Sequence, residues 1–145
     1  MSESRFIPCE GLPDFLTRYV IRHYERFMTP REAAAHRLCA LRLKFWAYYP
    51  DQPHSEWRTS GLLTTVTARD LAAHPDLADE LDARGGPAVL KEAAQRILRD
   101  YADAVVLNHC RCCGEMKLTP VARGCTLCGR ESEPEHRNLR SCGYL

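Results

Sequence analysis

Two Cys-x-x-Cys-Gly segments, Cys110-Arg111-Cys112-Cys113-Gly114 and Cys125-Thr126-Leu127-Cys128-Gly129, stand with eleven residues between Cys113 and Cys125. No other feature of the chain limits its fold so narrowly. Four thiolates in this spacing can surround one tetrahedral ion, the arrangement zinc takes in closed structural sites. The glycine after each pair has a physical reason: a tight turn around a metal needs a residue that tolerates positive φ, and such a turn aims backbone N–H groups at the sulfurs. The repeated Cys-Gly register selects Cys110 and Cys113 in the crowded first pair and leaves Cys112 as a spacer. The expected ligands are therefore Cys110, Cys113, Cys125 and Cys128, holding one structural Zn2+ per chain. Two disulfides are the alternative for four such cysteines. Iron in a rubredoxin-like knuckle is the competing metal, but it would need an electron-transfer partner that nothing in the helices suggests.

The segment around these cysteines reads as a ribbon. Ala104-Val105-Val106-Leu107 is a short β-prone run entering the first pair, and Glu115–Leu118 with a turn at Thr119-Pro120 suits a hairpin. His109 abuts Cys110 and is placed to donate to a thiolate. So short a segment cannot fold on a hydrophobic core of its own and would draw folding free energy from the metal.

The rest of the chain has helical period. Leu12, Phe15, Leu16, Tyr19, Val20 and Phe27 recur at three- and four-residue steps, which predicts one amphipathic helix from Leu12 to Met28. Thr29-Pro30-Arg31-Glu32 has the form of a capping box. It opens a second helix to about Tyr48 that buries Leu38, Leu41, Phe45 and Tyr49, with Pro50 ending it. Leu62–Val66 is either a short strand or an extended lead-in, and Thr67-Ala68-Arg69-Asp70 caps a short helix. A further turn runs from Pro75 through Leu81 to Gly85-Gly86. Pro87 then precedes a helix carrying Leu90, Ala94, Ile97, Leu98 and Tyr101 on one face. The fold class expected is mainly α: a three- to four-helix part over residues 1–103, with a small β zinc ribbon and tail over 104–145. No Gly/Ser linker separates the parts, so the ribbon should pack on the helices.

The cysteine segment and the opening helix together resemble a family of small bacterial proteins with a C-terminal zinc ribbon. The matching residues are Cys110, Cys113-Gly114, Leu118-Thr119-Pro120-Val121-Ala122, Cys125 and Cys128-Gly129, together with Leu12–Tyr24 and Met28-Thr29 with Glu32. Ribbons of that family run approximately N-x-C-P-x-C-G, then T-P-x-A, then C-x-x-C-G. Cys112 departs from the proline-lysine spacer, and the aromatic-histidine ending is missing after Gly129. The resemblance implies zinc and one folded unit, and it carries over no reaction.

Composition bounds the function. Apolar residues are 45% and charged residues 27% of the 145, as in a globular protein, and the net charge of +1 gives no general basic field for nucleic acid or an anionic membrane. No run of 18 apolar residues is present, so no membrane-spanning helix is expected. The opening residues lack the pattern of a secretory signal, and four of the eight cysteines stand in metal spacing. Together these features indicate a reducing, cytoplasmic setting. Arg18, Arg22 and Arg26, four apart, share a helix face, and Arg111, Lys117 and Arg123 make a second basic zone in the ribbon. These six are the candidate partner or nucleic-acid contacts. The plain alternative is a solvated face, or arginines that grip acids such as those from Asp76 to Asp82. The histidines suit core or surface roles, and Cys39 near His36 and His23 lacks any nucleophile signature. There is no P-loop, dinucleotide turn or G-x-S-x-G. The first reading is a non-catalytic adaptor with a protein partner. A nucleic-acid-binding regulator is the alternative, and an enzyme with a site between the helices and the middle loop is a weaker one.

Overall fold

The computed structural model describes residues 14–137; Leu12, where the first helix is expected to begin, lies outside them. The fold is mainly helical. Its order is α1 (Asp14–His23), a 3-10 turn (Glu25–Phe27), α2 (Pro30–Tyr48), a 3-10 segment (His54–Thr59), α3 (Thr65–Ala73), α4 (Leu77–Arg84), α5 (Gly86–Asp100), β1 (Leu107–His109) and β2 (Glu135–Arg137). None of these helices is long and apolar enough to cross a membrane. The described residues divide into two compact units, one that joins the residues up to Phe27 with those from Ala94 onward and one of residues 28–93.

The inner unit, 28–93, is built on α2. Thr29 caps it as the sequence predicts. The Thr29 hydroxyl accepts from the Glu32 amide at 3.1 Å, and the Thr29 amide donates to the Glu32 carboxylate at 2.9 Å. From α2, Ala34, Ala35, Leu38, Leu41 and Phe45 join Trp57, Leu77, Ala78 and Leu81 in one buried cluster. Tyr49, expected in this core, is exposed, because the helix ends at Tyr48 and Tyr49 leaves helical geometry at the C-cap. The cap of α3 lies at Thr64, three residues before the expected one. Thr64 and Thr67 exchange amide-to-hydroxyl hydrogen bonds of 2.7 and 3.1 Å, and this reciprocal pair settles Leu62–Val66 as lead-in and helix, not strand. Gly86 opens α5 where a Cβ would stand 2.8 Å from Cys39 Sγ, so any larger residue there would have to push the Cys39 side chain aside.

Charge in this unit is paired. Arg31 holds Asp76 and Glu80, Arg37 holds Asp70, and Arg58 holds Asp79 and Asp82. Buried Arg42 reaches Asp82 at 3.3 Å and lies 4.6 Å from the Trp46 ring centroid, while Trp57 Nε1 donates to the same carboxylate at 2.9 Å. The arginines of α2 therefore take the plain alternative stated above.

In the outer unit, α1 is shorter than predicted. It ends at His23 and the chain tightens into the 3-10 turn, so Arg26 is not on the α1 face with Arg18 and Arg22. The Arg26 guanidinium instead donates to His23 O at 3.1 Å and covers the Phe27 ring at 4.6 Å. Apolar period alone ran on through Phe27, which stacks on Tyr101 with ring centroids 4.1 Å apart. Leu16, Val20, Tyr24, Ile97, Leu98, Val105 and Leu107 are buried here. Phe15, placed on the apolar face by period, is 49% exposed. β1 begins at Leu107, later than the β-prone run, and pairs antiparallel with β2, Asn108 opposite His136, so His136 lies in a strand and not a loop.

Candidate metal centre

Each cysteine pair forms the same small hairpin. The Cys110 amide donates to Glu115 O at 2.7 Å and the Gly114 amide to Cys110 O at 2.8 Å. Fifteen positions on, the Cys125 amide donates to Arg130 O at 3.0 Å and the Gly129 amide to Cys125 O at 2.9 Å. The agreement extends outward. His109 bridges Met116 as Gly124 bridges Glu131, and Lys117 donates to Asn108 O at 2.7 Å as Ser132 donates to Arg123 O at 2.9 Å. Gly114 and Gly129 have φ of +78° and +75°, with nothing near an added Cβ, so glycine is needed there for its backbone freedom and not for space.

Together the hairpins bring the Sγ atoms of Cys110, Cys113, Cys125 and Cys128 within 4.8 Å of one another. Cys110 and Cys128, and likewise Cys113 and Cys125, stand 3.6 Å apart, one thiol of each hairpin in either pair. Sulfurs at about 2.3 Å from a central ion in a tetrahedron lie about 3.8 Å apart, whereas a disulfide needs about 2.05 Å. The four thiols therefore fit a single metal ion. Cys112 is exposed and outside the cluster.

The turns also favour thiolate. Backbone N–H groups of Cys113 and Cys112 point at Cys110 Sγ and, against its burial, bring that thiol down to about 6. The amides of Cys128 and Leu127 lower Cys125 in the same way. The first cysteine of each hairpin is thus prepared for ionisation by its own loop.

Two residues that sequence reasoning misplaced or missed hold the hairpins together. Lys117, expected on a basic surface, is buried at 1% exposure. Its ammonium donates to Arg123 O at 2.7 Å and to Ser132 O and Oγ, both at 2.9 Å. Three oxygens of the second hairpin thus capture a side chain of the first, which withdraws Lys117 from the contact set. Asn108, also buried, donates from Nδ2 to Thr119 O and Ala122 O at 2.9 and 2.8 Å and closes the loop between the hairpins. His109 Nδ1 lies 2.8 Å from Leu107 O.

The cluster is tied to α1. Tyr19 Oη donates to Val106 O at 2.6 Å, and the Val106 amide donates to Tyr24 Oη at 2.7 Å. Burial pushes the Tyr19 phenol well above its usual range. His23 Nε2 donates to Leu118 O at 3.2 Å. Arg18, Arg22, Arg26, Arg111 and Arg123 are all exposed, and Arg123 pairs with Glu133 at 2.8 Å. Arg18 and Arg22 border a cavity of about 240 Å³ whose other walls include Phe15, Met116 and Leu118. In the inner unit, burial raises the Cys39 thiol to about 11, which leaves it a poor nucleophile at neutral pH.

Geometry and chemistry together define a mainly helical protein with a cluster of four thiols that could hold a metal ion. Comparison with known proteins takes it no further: no family model, no curated protein and no solved structure matches the chain.

Proposed function

We propose that this is a zinc-ribbon interaction protein. In this reading the ion is Zn2+, one per chain, with a purely structural role, and the protein presents a rigid surface to a macromolecular partner, a protein, in the cytoplasm. The observation that carries it is the closed quartet Cys110, Cys113, Cys125 and Cys128. A catalytic zinc keeps a coordination position for water or substrate, whereas four thiolates leave none. The likeness to small bacterial ribbon proteins noted in the sequence supports the same reading. The module also carries large apolar side chains in water, Leu118, Val121 and Leu127 at 66 to 78% exposure, which are available to a partner.

The test has two parts. Elemental analysis of protein purified without added metal should give one zinc per chain; little zinc together with two disulfides by mass spectrometry would sink the proposal. Cross-linked capture from native cells should then yield a protein that Leu127→Ser loses while keeping its zinc. Capture of nucleic acid instead, or of nothing, counts against a protein adaptor.

A nucleic-acid regulator is the second reading, favoured by one observation. Arg18 and Arg22 of α1 are exposed and meet the cysteine segment at a shared cavity, where Met116, Lys117 and Leu118 form the facing wall. Retention on heparin with a log–log salt slope of about −0.9 for each phosphate neutralised would support it.

A further inference from the structure

The arginines of this chain fall into two kinds. On α2, Arg31, Arg37 and Arg42 each hold a carboxylate. On α1, Arg18 and Arg22 are exposed and make no ion pair among the described residues. They stand one turn apart, a rise of about 6 Å, so both guanidinium forks can reach one anion. Beside them lies the 240 Å³ cavity walled by Phe15, His23, Met116 and Leu118.

We propose that this cavity docks a short acidic segment of a protein partner, a carboxylate held between Arg18 and Arg22 and the neighbouring apolar side chain seated on Phe15, Met116 and Leu118. The proposal rests on the interaction-protein reading and names the chemistry of its partner. Size supports it: pockets for cofactors and small molecules run from about 300 to 1,000 Å³, and this one holds little more than one side chain and its carboxylate neighbour. Composition supports it as well. Phe15 and Leu118 are 49% and 66% exposed, and an arginine clamp beside apolar walls is the makeup of an interface hot spot.

The walls are fixed in place. His23 donates to Leu118 O and packs edge-on against Tyr19 at 5.1 Å, and Tyr19 is tied to Val106. Lys117 lines the cavity with its stem alone, because its ammonium is committed to Arg123 and Ser132. The clamp therefore has two guanidinium groups beside a largely apolar surface. A phosphate backbone would want the reverse, a broad basic field, and the chain's net charge is +1.

The probes are N-acetyl-Leu-Glu-amide, its Gln counterpart, inorganic phosphate and a single-stranded oligothymidine, each titrated into the zinc-loaded, isotope-labelled full chain and followed by NMR. Saturable shifts should appear for the Glu peptide at Phe15, Leu118 and the Nε–H groups of Arg18 and Arg22, at a Kd of about 1 mM. The Gln peptide should bind at least about tenfold more weakly. Arg18→Glu/Arg22→Glu should abolish the shifts with the remaining spectrum unchanged; should that variant misfold, Arg18→Gln should still weaken binding severalfold. Equal binding of both peptides, shifts elsewhere, or no shift overturns the proposal. Stronger binding of phosphate or the oligonucleotide at these residues also overturns it and moves the site to the nucleic-acid reading. Should the charge-reversed protein still capture the same partner from cells, the cavity proposal fails while the interaction reading stands; should the unaltered protein capture no protein partner, the interaction reading fails and the proposal falls with it.

Discussion

Replacing Lys117 by methionine keeps the buried stem and removes only the ammonium. In the wild type that group donates to Arg123 O, Ser132 O and Ser132 Oγ at 2.7 to 2.9 Å and makes no ion pair among the described residues. Ser132 is half-buried, so its hydroxyl can turn to water in the variant and two carbonyl bonds decide the outcome. Hydrogen bonds from a charged donor contribute about 1.5–3 kcal/mol each, or about 3–6 kcal/mol for two. Burial of the ammonium costs several kcal/mol in the wild type, and the variant is spared that cost. The hydrogen bonds outweigh that cost because the variant also leaves two carbonyls without a donor, at about 1–3 kcal/mol each, and the expected net loss in the folding of the hairpin pair is about 2–3 kcal/mol. On the proposed zinc-ribbon reading metal binding drives that folding, so the loss should appear as metal affinity weakened by about 30- to 150-fold. Competition against a chromophoric zinc chelator at pH 7 measures it directly. Arg123→Gln is the control. It removes an exposed ion pair with Glu133 in the same hairpin and should change affinity by about 1 kcal/mol at most. If Lys117→Met binds metal within about threefold of wild type, the ammonium does not hold the hairpins together and the reasoning is refuted.

Cys112→Ser should retain the full metal content and Cys110→Ser should lose it, by elemental analysis; the opposite pattern would reassign the register. Changing Arg18, Arg22 and Arg26 together to Gln should shift the stability measured by denaturant by less than about 1 kcal/mol, because all three are exposed. Asp82→Asn should destabilise by about 3 kcal/mol at neutral pH, since it leaves buried Arg42 without its carboxylate. Burial alone would raise the Asp82 carboxyl, yet the hydrogen bonds from Arg58 and Trp57 and the charge of Arg42 hold it below its usual range. Its ionised form therefore stabilises the fold above the ordinary carboxylate range, and that advantage fades as pH falls through the lowered folded value. Denaturant midpoints of wild type and variant should converge on acidification, and a gap independent of pH would contradict the assignment.

What could be foreseen from the sequence depended on how local the cause was. The Thr29–Glu32 cap and the turns at Gly114 and Gly129 follow from chemistry within four or five residues, and such causes are written contiguously. The break after His23 was hidden because Phe27 keeps the apolar period while a 3-10 turn brings its ring onto Tyr101. Thr64 and Thr67 could have been recognised as a reciprocal hydroxyl cap, but the β-branched run around them mimics a strand. Lys117 was beyond reach. A lysine among other basic residues suggests a surface, and only the folded hairpins bring the oxygens of Arg123 and Ser132, six and fifteen residues away, around its ammonium. Arg18 and Arg22 were legible as an exposed pair, while their cavity needed Met116 and Leu118 from the far end of the chain.

That distance has a consequence for synthesis on the ribosome. Tyr19 and Tyr24 wait for Val106, 87 and 82 residues later, and residues 28–93 form a compact unit between them. At about 5–20 residues per second, α1 emerges roughly 4–17 s before its anchor. Through that interval Leu16, Val20 and Ile21 have no completed unit to bury them, whereas the inner unit has its whole sequence in hand. The nascent chain should therefore fold from the middle outward, its opening helix left to chaperones until the cysteine segment appears.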